Sequence, residues 1–317
     1  MNDILDIINN LAFPYAEPAL VGILIGSLFS AFSILVMRKK LPVAHSIAVI
    51  GLPRTGKTTL VTSIFAEIFS ARMRRISLTL RGDETIKKVN DDIARLQRGE
   101  ELGPTTDQDL FAYRADMVTG SSIFSRRYKV EIGDFPGEDS EELASSTDID
   151  WLQKTPFFRW AIEADAFLFV VDASQLISGD KKAIDYTIHT INSYRASWQK
   201  IKDHYSDGLN DLKSKPITLV FTKIDALDDY VGRDGSITGP VQYKVIDESI
   251  LSNVERELDF VMRDLIGFFR SESRNFSVTY TSAFGILSSL PLGDNTKLGM
   301  ERTLSSVLPK IRPSLFK

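Results

Sequence analysis

Ser46-Ile47-Ala48-Val49-Ile50-Gly51-Leu52-Pro53-Arg54-Thr55-Gly56-Lys57-Thr58-Thr59 decides how this 317-residue chain folds. Its first five residues form a short, mostly apolar and β-branched run, the composition of a parallel strand buried on both faces. From Gly51 the spacing is that of G-x-x-x-x-G-K-[ST], and Leu60 to Ala71 continues as an apolar segment of helical character. Strand, tight loop and helix follow one another in the order that a phosphate cradle requires. Gly51 and Gly56 let the backbone turn its N–H groups inward, and the N-terminus of the helix adds partial positive charge. Pro53, Arg54 and Thr55 complete the wall of the loop. Lys57 is placed to reach the outer phosphates of a nucleotide, the Thr58 hydroxyl to ligate Mg2+, and Thr59 to touch the α-phosphate. A glycine-containing turn could match the spacing by chance, but its neighbours would then have no reason to be a strand and a helix.

Three shorter motifs follow, each at the end of an expected strand. Arg127 to Gly133 alternates and runs into Asp134-Phe135-Pro136-Gly137, where Asp134 would hold Mg2+ through water and the Gly137 N–H would meet a γ-phosphate. Ile217 to Phe221 is apolar and leads into Thr222-Lys223-Ile224-Asp225. A carboxylate there can accept from both the N1–H and the exocyclic amine of guanine, a donor pair that adenine lacks. The stem of Lys223 would lie over the base. Phe276 to Thr281 ends in Ser282-Ala283-Phe284, where the Ala283 N–H would meet guanine O6.

Taken in this order, the four motifs resemble those of the Ras-like and translation-factor-related P-loop GTPases of the TRAFAC class, over roughly Ala44 to Ile311. The resemblance implies GTP and GDP as ligands, Mg2+ as cofactor, and hydrolysis of GTP to GDP and phosphate. A P-loop ATPase or kinase, with Asp225 an ordinary strand-end residue, is the competing reading. The family also needs a switch threonine. Pro104-Thr105-Thr106 is similar to the P-T of Arf-like switches, which makes Thr105, ahead of Thr106, the expected second Mg2+ ligand. The residues from about 70 to 103 exceed what Ras-like proteins carry here and are expected as an insertion, with Ile76 to Leu80 an extra strand and Glu84 to Arg98 a helix. Glu138 stands where many relatives place a glutamine or histidine that orients the attacking water. It adds negative charge beside the γ-phosphate, so slow intrinsic hydrolysis is expected. Arg54 offers compensation, because the loop is similar to that of guanylate-binding proteins, where this arginine turns onto the phosphates when two domains meet. A solvent-facing loop arginine is the alternative.

Ala19 to Met37 runs without a charge, long enough at ~1.5 Å per residue to cross a bilayer core of ~30 Å. Asp3 and Asp6 precede it and Arg38, Lys39 and Lys40 follow. The positive-inside rule therefore makes 19–37 a single membrane-spanning helix, with 1–18 a short extracytoplasmic segment and 44–311 a cytoplasmic domain. An acidic n-region without a small-residue cleavage site argues against a signal peptide. Gly22 and Gly26, with Ser30 on the same face, have the spacing of a helix–helix seam and so allow a homodimer. The net charge of −4 gives no basic excess for a nucleic-acid partner, and the absence of cysteine excludes disulfides, zinc–thiolate sites and cysteine nucleophiles.

The expected fold is α/β, a mostly parallel central sheet with helices on both faces. Strands are expected near 46–50, 76–80, 110–117, 127–133, 166–172, 217–222 and 276–281, a long exposed helix over Asp180 to Tyr205, and one helix over Val254 to Arg270. One anchor before one such domain resembles the layout of the β subunit of the signal recognition particle receptor, and the P-T switch with its long lead-in resembles, more weakly, GTPases of bacterial conflict systems. That layout implies a switch that recruits a cytosolic protein effector. A dynamin-like protein acting as a homodimer at the membrane, suggested by Arg54, and a non-hydrolysing GTP-bound scaffold, suggested by Glu138, are the alternatives.

Overall fold

In a computed structural model of the chain, the described residues are 26–27, 30, 44–73, 76–103, 111–119, 126–134, 136–138, 141, 156–177, 180–205, 212–227, 243–288 and 297–309. The chain divides into two units, Met1–Pro42 and Val43–Lys317. In the first, only Gly26, Ser27 and Ser30 are described, as exposed helical residues. The rest of the expected span 19–37, including Gly22, lies outside the described residues. Among the described residues no helix is long and apolar enough to cross a membrane.

The second unit is built on a seven-stranded sheet. Its strands are β1 (His45–Gly51), β2 (Ile76–Leu80), β3 (Phe111–Thr119), β4 (Arg126–Asp134), β5 (Ala166–Asp172), β6 (Ile217–Thr222) and β8 (Phe276–Tyr280), in the order β2-β3-β4-β1-β5-β6-β8. Pairing is parallel from β4 through β8 and antiparallel where β3 meets β2 and β4. Ile47, Ala48, Val49 and Ile50 at the centre of β1 are 0% exposed, as the unbroken apolar run implies for a strand covered on both sides. Along β5 successive residues enter opposite cores: Phe167, Phe169 and Val171 one, Ala166, Leu168 and Val170 the other. A strand with a period of two and helices above and below can do only this.

One core is closed by α1 (Lys57–Phe69), α2 (Asp83–Gln97) and α7 (Met300–Val307). The other is closed by α3 (Pro156–Glu163), α4 (Lys181–His204), α5 (Glu248–Val261) and α6 (Arg263–Glu272). There Trp198 meets Phe167 edge-on at 5.3 Å between ring centres, and Phe269 lies 4.5 Å from Phe169. Such pairs add about 0.5–1.5 kcal/mol each beyond the burial of their area.

Two helices differ from expectation. The span expected as one helix from Val254 to Arg270 breaks at Met262, whose backbone (φ −100°, ψ 16°) leaves the helical region. The break turns the buried face, so Met262 and Phe269 are 0% exposed while Val261 and Phe268 are only partly covered. The helix from Lys181 is not simply exposed, because Tyr194, Trp198 and Ile201 on one face lie in the core. A further pair of short parallel strands, β7 (Lys244–Ile246) and β9 (Gly285–Leu287), was not expected. The strand and helix expected within 70–103 appear as β2 and α2, with β2 at the antiparallel edge of the sheet.

Candidate functional site

The loop after β1 opens at the carboxyl ends of the parallel strands, where chain crossings diverge to either side of β1 and α/β sheets hold their ligands. Its conformation explains its residues. Gly56 has φ +85° and Arg54 has φ 63°, both left-handed. A Cβ at Gly51 would stand 2.8 Å from Thr55 Oγ1 and 3.0 Å from the Val170 carbonyl, so no side chain fits there. No side chain caps α1 and its first turn carries no acid, which leaves a helix N-terminus facing the loop. Lys57 is 6% exposed. Its ammonium bends back to donate to the carbonyls of Gly51 at 2.8 Å and Leu52 at 3.1 Å.

Asp134 closes β4 opposite Val49. It is 0% exposed, and neither carboxyl oxygen makes a hydrogen bond. Burial pushes its pKa up to about 6, which the Thr58 hydroxyl and the Lys57 and Lys88 ammoniums only partly oppose. A buried, unsatisfied carboxylate beside a threonine hydroxyl at the mouth of a phosphate loop is a donor set that suits Mg2+, a hard cation held by few protein oxygens together with phosphates. Gly137 follows three residues later. A Cβ there would stand 2.3 Å from Pro53 Cα, so the turn after β4 can rest on the phosphate loop only with glycine at this position. Glu138 is exposed. Thr105 and Thr106 lie outside the described residues.

The other end of the site is densely bonded. Thr222 Oγ1 donates to the carbonyl of Thr55 at 2.6 Å and lies 3.1 Å from that of Val171. Lys223, at φ 58°, sends its ammonium to the Arg54 carbonyl at 2.8 Å and to Asp172 at 2.6 Å. Asp172 also accepts from the Ser174 N–H at 3.0 Å and Gln175 Nε2 at 3.0 Å. The Ser282 hydroxyl donates to Asp225 and accepts from the Phe284 N–H at 3.1 Å. Ala283, between them, is partly exposed. The structure thus brings Gly51, Thr55, Lys57, Asp134 and Gly137 to one end, and Thr222, Lys223, Asp225 and Ser282 to the other, with Arg54 joining both through its carbonyl.

Sequence reasoning gave no role to several residues that hold this site. Asp172 was only a strand end. Lys244 donates to the Asp225 carbonyl at 2.6 Å. Glu67, 1% exposed on α1, accepts from the Lys297 N–H at 3.1 Å and from Arg72 at 3.3 Å. Lys297 and Leu298 brace the loop after β8, through Ser282 N–H to the Leu298 carbonyl at 3.2 Å and Leu298 N–H to the Gly285 carbonyl at 2.9 Å.

A family model described as Double-GTPase 2 matches residues 45–290. No curated protein matches the chain, so the likeness to the signal recognition particle receptor rests on the expected layout and that to guanylate-binding proteins on one loop. Among solved structures, the chain is similar to a bacterial selenocysteine-specific elongation factor at 16% identity and a TM-score of 0.34. The match covers 83% of this chain and 28% of the length of the other.

Proposed function

The chain belongs to the Double-GTPase 2 family, and from that premise we propose that it is a membrane-anchored GTPase switch. In this reading GTP loading recruits or regulates a cytosolic protein, and hydrolysis to GDP and phosphate ends the contact. Residues 19–37 hold the chain in the bilayer by a single pass, and 44–311 form the cytoplasmic GTPase domain. The observation that carries the nucleotide chemistry is Asp134, buried, without hydrogen bonds, and next to Thr58.

Thr58 and Asp134, with Thr105 from the switch segment, would hold Mg2+, which supplies positive charge against the phosphate oxygens. Lys57 exchanges the Gly51 and Leu52 carbonyls for the β- and γ-phosphates. The loop N–H groups and the uncapped first turn of α1 take the remaining phosphate charge, and Thr59 meets the α-phosphate. Asp225 accepts from the guanine edge while Ser282 holds it in place, Ala283 N–H reaches O6, and Lys223 covers the ring. Gly137 N–H meets the γ-phosphate. Water then bonds to the γ-phosphorus as the bond to the bridging oxygen breaks and GDP leaves. Glu138 orients that water but places a negative charge beside it, so turnover by the isolated chain is slow.

Arg54 favours a second reading. It is exposed, and its guanidinium makes no hydrogen bond or ion pair among the described residues. A second copy could bring it onto the phosphates, where such an arginine is worth ~10³–10⁵ in rate. Single-turnover GTP hydrolysis by the full chain in lipid vesicles, across protein density, separates the readings. Slow, density-independent turnover supports the switch. Fast turnover that rises with density and is lost in Arg54→Ala supports the homodimer. Tight GTP binding with no turnover supports a scaffold, and no GTP binding ends all three.

A further inference from the structure

We propose that the end of the sheet opposite the phosphate loop docks on anionic lipid headgroups, through the basic run that leads into β2 and the arginine pair that begins β4. The inference rests on the proposed membrane span 19–37 and settles which end of the domain is turned to the cytosol.

The charge is segregated. From Arg38 to Gly82 the chain carries a single carboxylate, Glu67, and from Met117 to Val130 it carries none. Glu67 is 1% exposed. In a chain of net charge −4, these two stretches hold Arg72, Arg74, Arg75, Arg126, Arg127 and Lys129. They are distant in sequence, and strand pairing brings them to one end of the sheet. Ile76, the first residue of β2, lies opposite Thr119, the last of β3, and Thr119 lies opposite Arg126, the first of β4. Arg72 and Lys129 are exposed. Arg72 reaches back to Glu67 at 3.3 Å, and Asp116, opposite Lys129, accepts from the Arg81 guanidinium at 2.9 Å. Neither carboxylate is left to neutralise the arginines at the strand ends.

The position points to a bilayer. β4 pairs with β1 from Val130 opposite His45 to Asp134 opposite Val49, so the phosphate loop stands at the far end. Arg126 lies four residues before Val130, which carries the hairpin ~13 Å beyond the start of β1 at ~3.3 Å per residue. The chain also reaches the domain at β1. From Met37, the end of the proposed span, to His45 is eight residues, a reach of at most ~28 Å. A basic end tethered so closely meets the negative potential of a cytoplasmic leaflet, which fades over ~8 Å in physiological salt. Glu163 is exposed and Asp165 half-exposed just before β5, so the positive surface is confined to the side of β2, β3 and β4. Docking there turns the carboxyl ends of the parallel strands, and the nucleotide with them, toward a cytosolic partner.

The chain has no cysteine, so one fluorophore can be placed at Ser77→Cys, exposed on β2, or at Lys181→Cys, exposed where α4 begins after the carboxyl end of β5. The full chain is set in nanodiscs that carry quencher-labelled lipid, with and without phosphatidylserine. Quenching at position 77 should rise with phosphatidylserine and vanish toward ~1 M salt, where screening acts within ~3 Å, while position 181 stays bright. Replacing both Arg126→Gln and Arg127→Gln should lower the docked-to-free ratio about thirtyfold, at about fivefold for each positive charge near an anionic surface. Quenching at 77 that ignores phosphatidylserine, equal quenching at both positions, or a double variant that matches the parent overturns the inference. If the double variant does not fold, the salt titration decides, because quenching that survives ~1 M salt overturns it. If the chain does not enter nanodiscs, the proposed span fails. The label at 77 is then mixed with preformed phosphatidylserine vesicles, where quenching upholds the basic end by itself and none overturns it.

Discussion

The two ends of the site solve opposite problems. At the base end the polar groups are already paired: Asp225 with Ser282, Thr222 with the Thr55 carbonyl, Lys223 with Asp172 and Arg54. At the phosphate end Asp134 is sealed from water with both oxygens unsatisfied, and Lys57 is turned onto the loop's own carbonyls. The first arrangement is pre-organised, so a ligand finds it with little rearrangement to drive. The second carries an electrostatic cost that only an incoming cation and phosphates relieve. On the proposed function, selectivity for the base and the response to the phosphates fall to regions with different mechanical character.

The sharpest way to break this contrast is at the base. Asp225→Ala removes two charge-assisted hydrogen bonds, each worth about 1.5–3 kcal/mol. GTP affinity measured by calorimetry should fall by roughly two to four orders of magnitude, while ATP affinity stays as it was. Equal losses for both nucleotides would show that Asp225 serves the fold and not the base.

Asp134→Asn tests the phosphate end. Its folded pKa of about 6 stands above the ordinary 3.8, so between those values the native state binds the proton more tightly than the unfolded chain. The stability from this group is fully present below pH 3.8 and is lost as pH rises through 6. The loss is about 3 kcal/mol at most by the usual conversion. The nucleotide-free variant should therefore melt at a higher temperature than the parent at pH 8 and at nearly the same one at pH 4, while its GDP release no longer responds to Mg2+. A variant that melts lower at pH 8 would mean that Asp134 is a paired structural carboxylate.

Gly137→Ala should weaken binding at the phosphate end without touching base selectivity, because the added methyl falls on Pro53. A small-to-large change in a tight contact costs about 1–3 kcal/mol, readable as a lowered GTP affinity with an unaltered preference for GTP over ATP. Asp172→Asn is the mildest. It leaves Lys223 one carbonyl partner and should weaken every guanine nucleotide alike by about 1 kcal/mol, measured as a faster release rate.

Much of this was legible in the chain. The strands of the large sheet declare themselves because each is an apolar or alternating run that ends in a turn residue or a motif. β5 reads as a central strand from Phe167-Leu168-Phe169-Val170-Val171 alone. Gly51, Gly56 and Lys57 are readable because a phosphate loop permits few other residues. What stayed hidden depends on contacts distant in sequence. β7 and β9 are three residues each, too short for a period to show, and they pair across a gap of nearly forty residues. Met262 continues the apolar spacing of α5, so nothing local announces the break. Asp172 and Lys244 are ordinary charged residues until the fold sets Lys223 and the Asp225 carbonyl beside them.

The Glu67 carboxylate links what the comparison kept apart. It stands on the helix that begins at the phosphate loop and holds the N–H of Lys297, whose neighbour Leu298 supports Ser282 at the base end. A strut of this kind makes pieces of the ligand interdependent. Guanosine and pyrophosphate, offered together as separate molecules, should each bind more tightly than when offered alone, and Glu67→Gln should bring the two back toward independence.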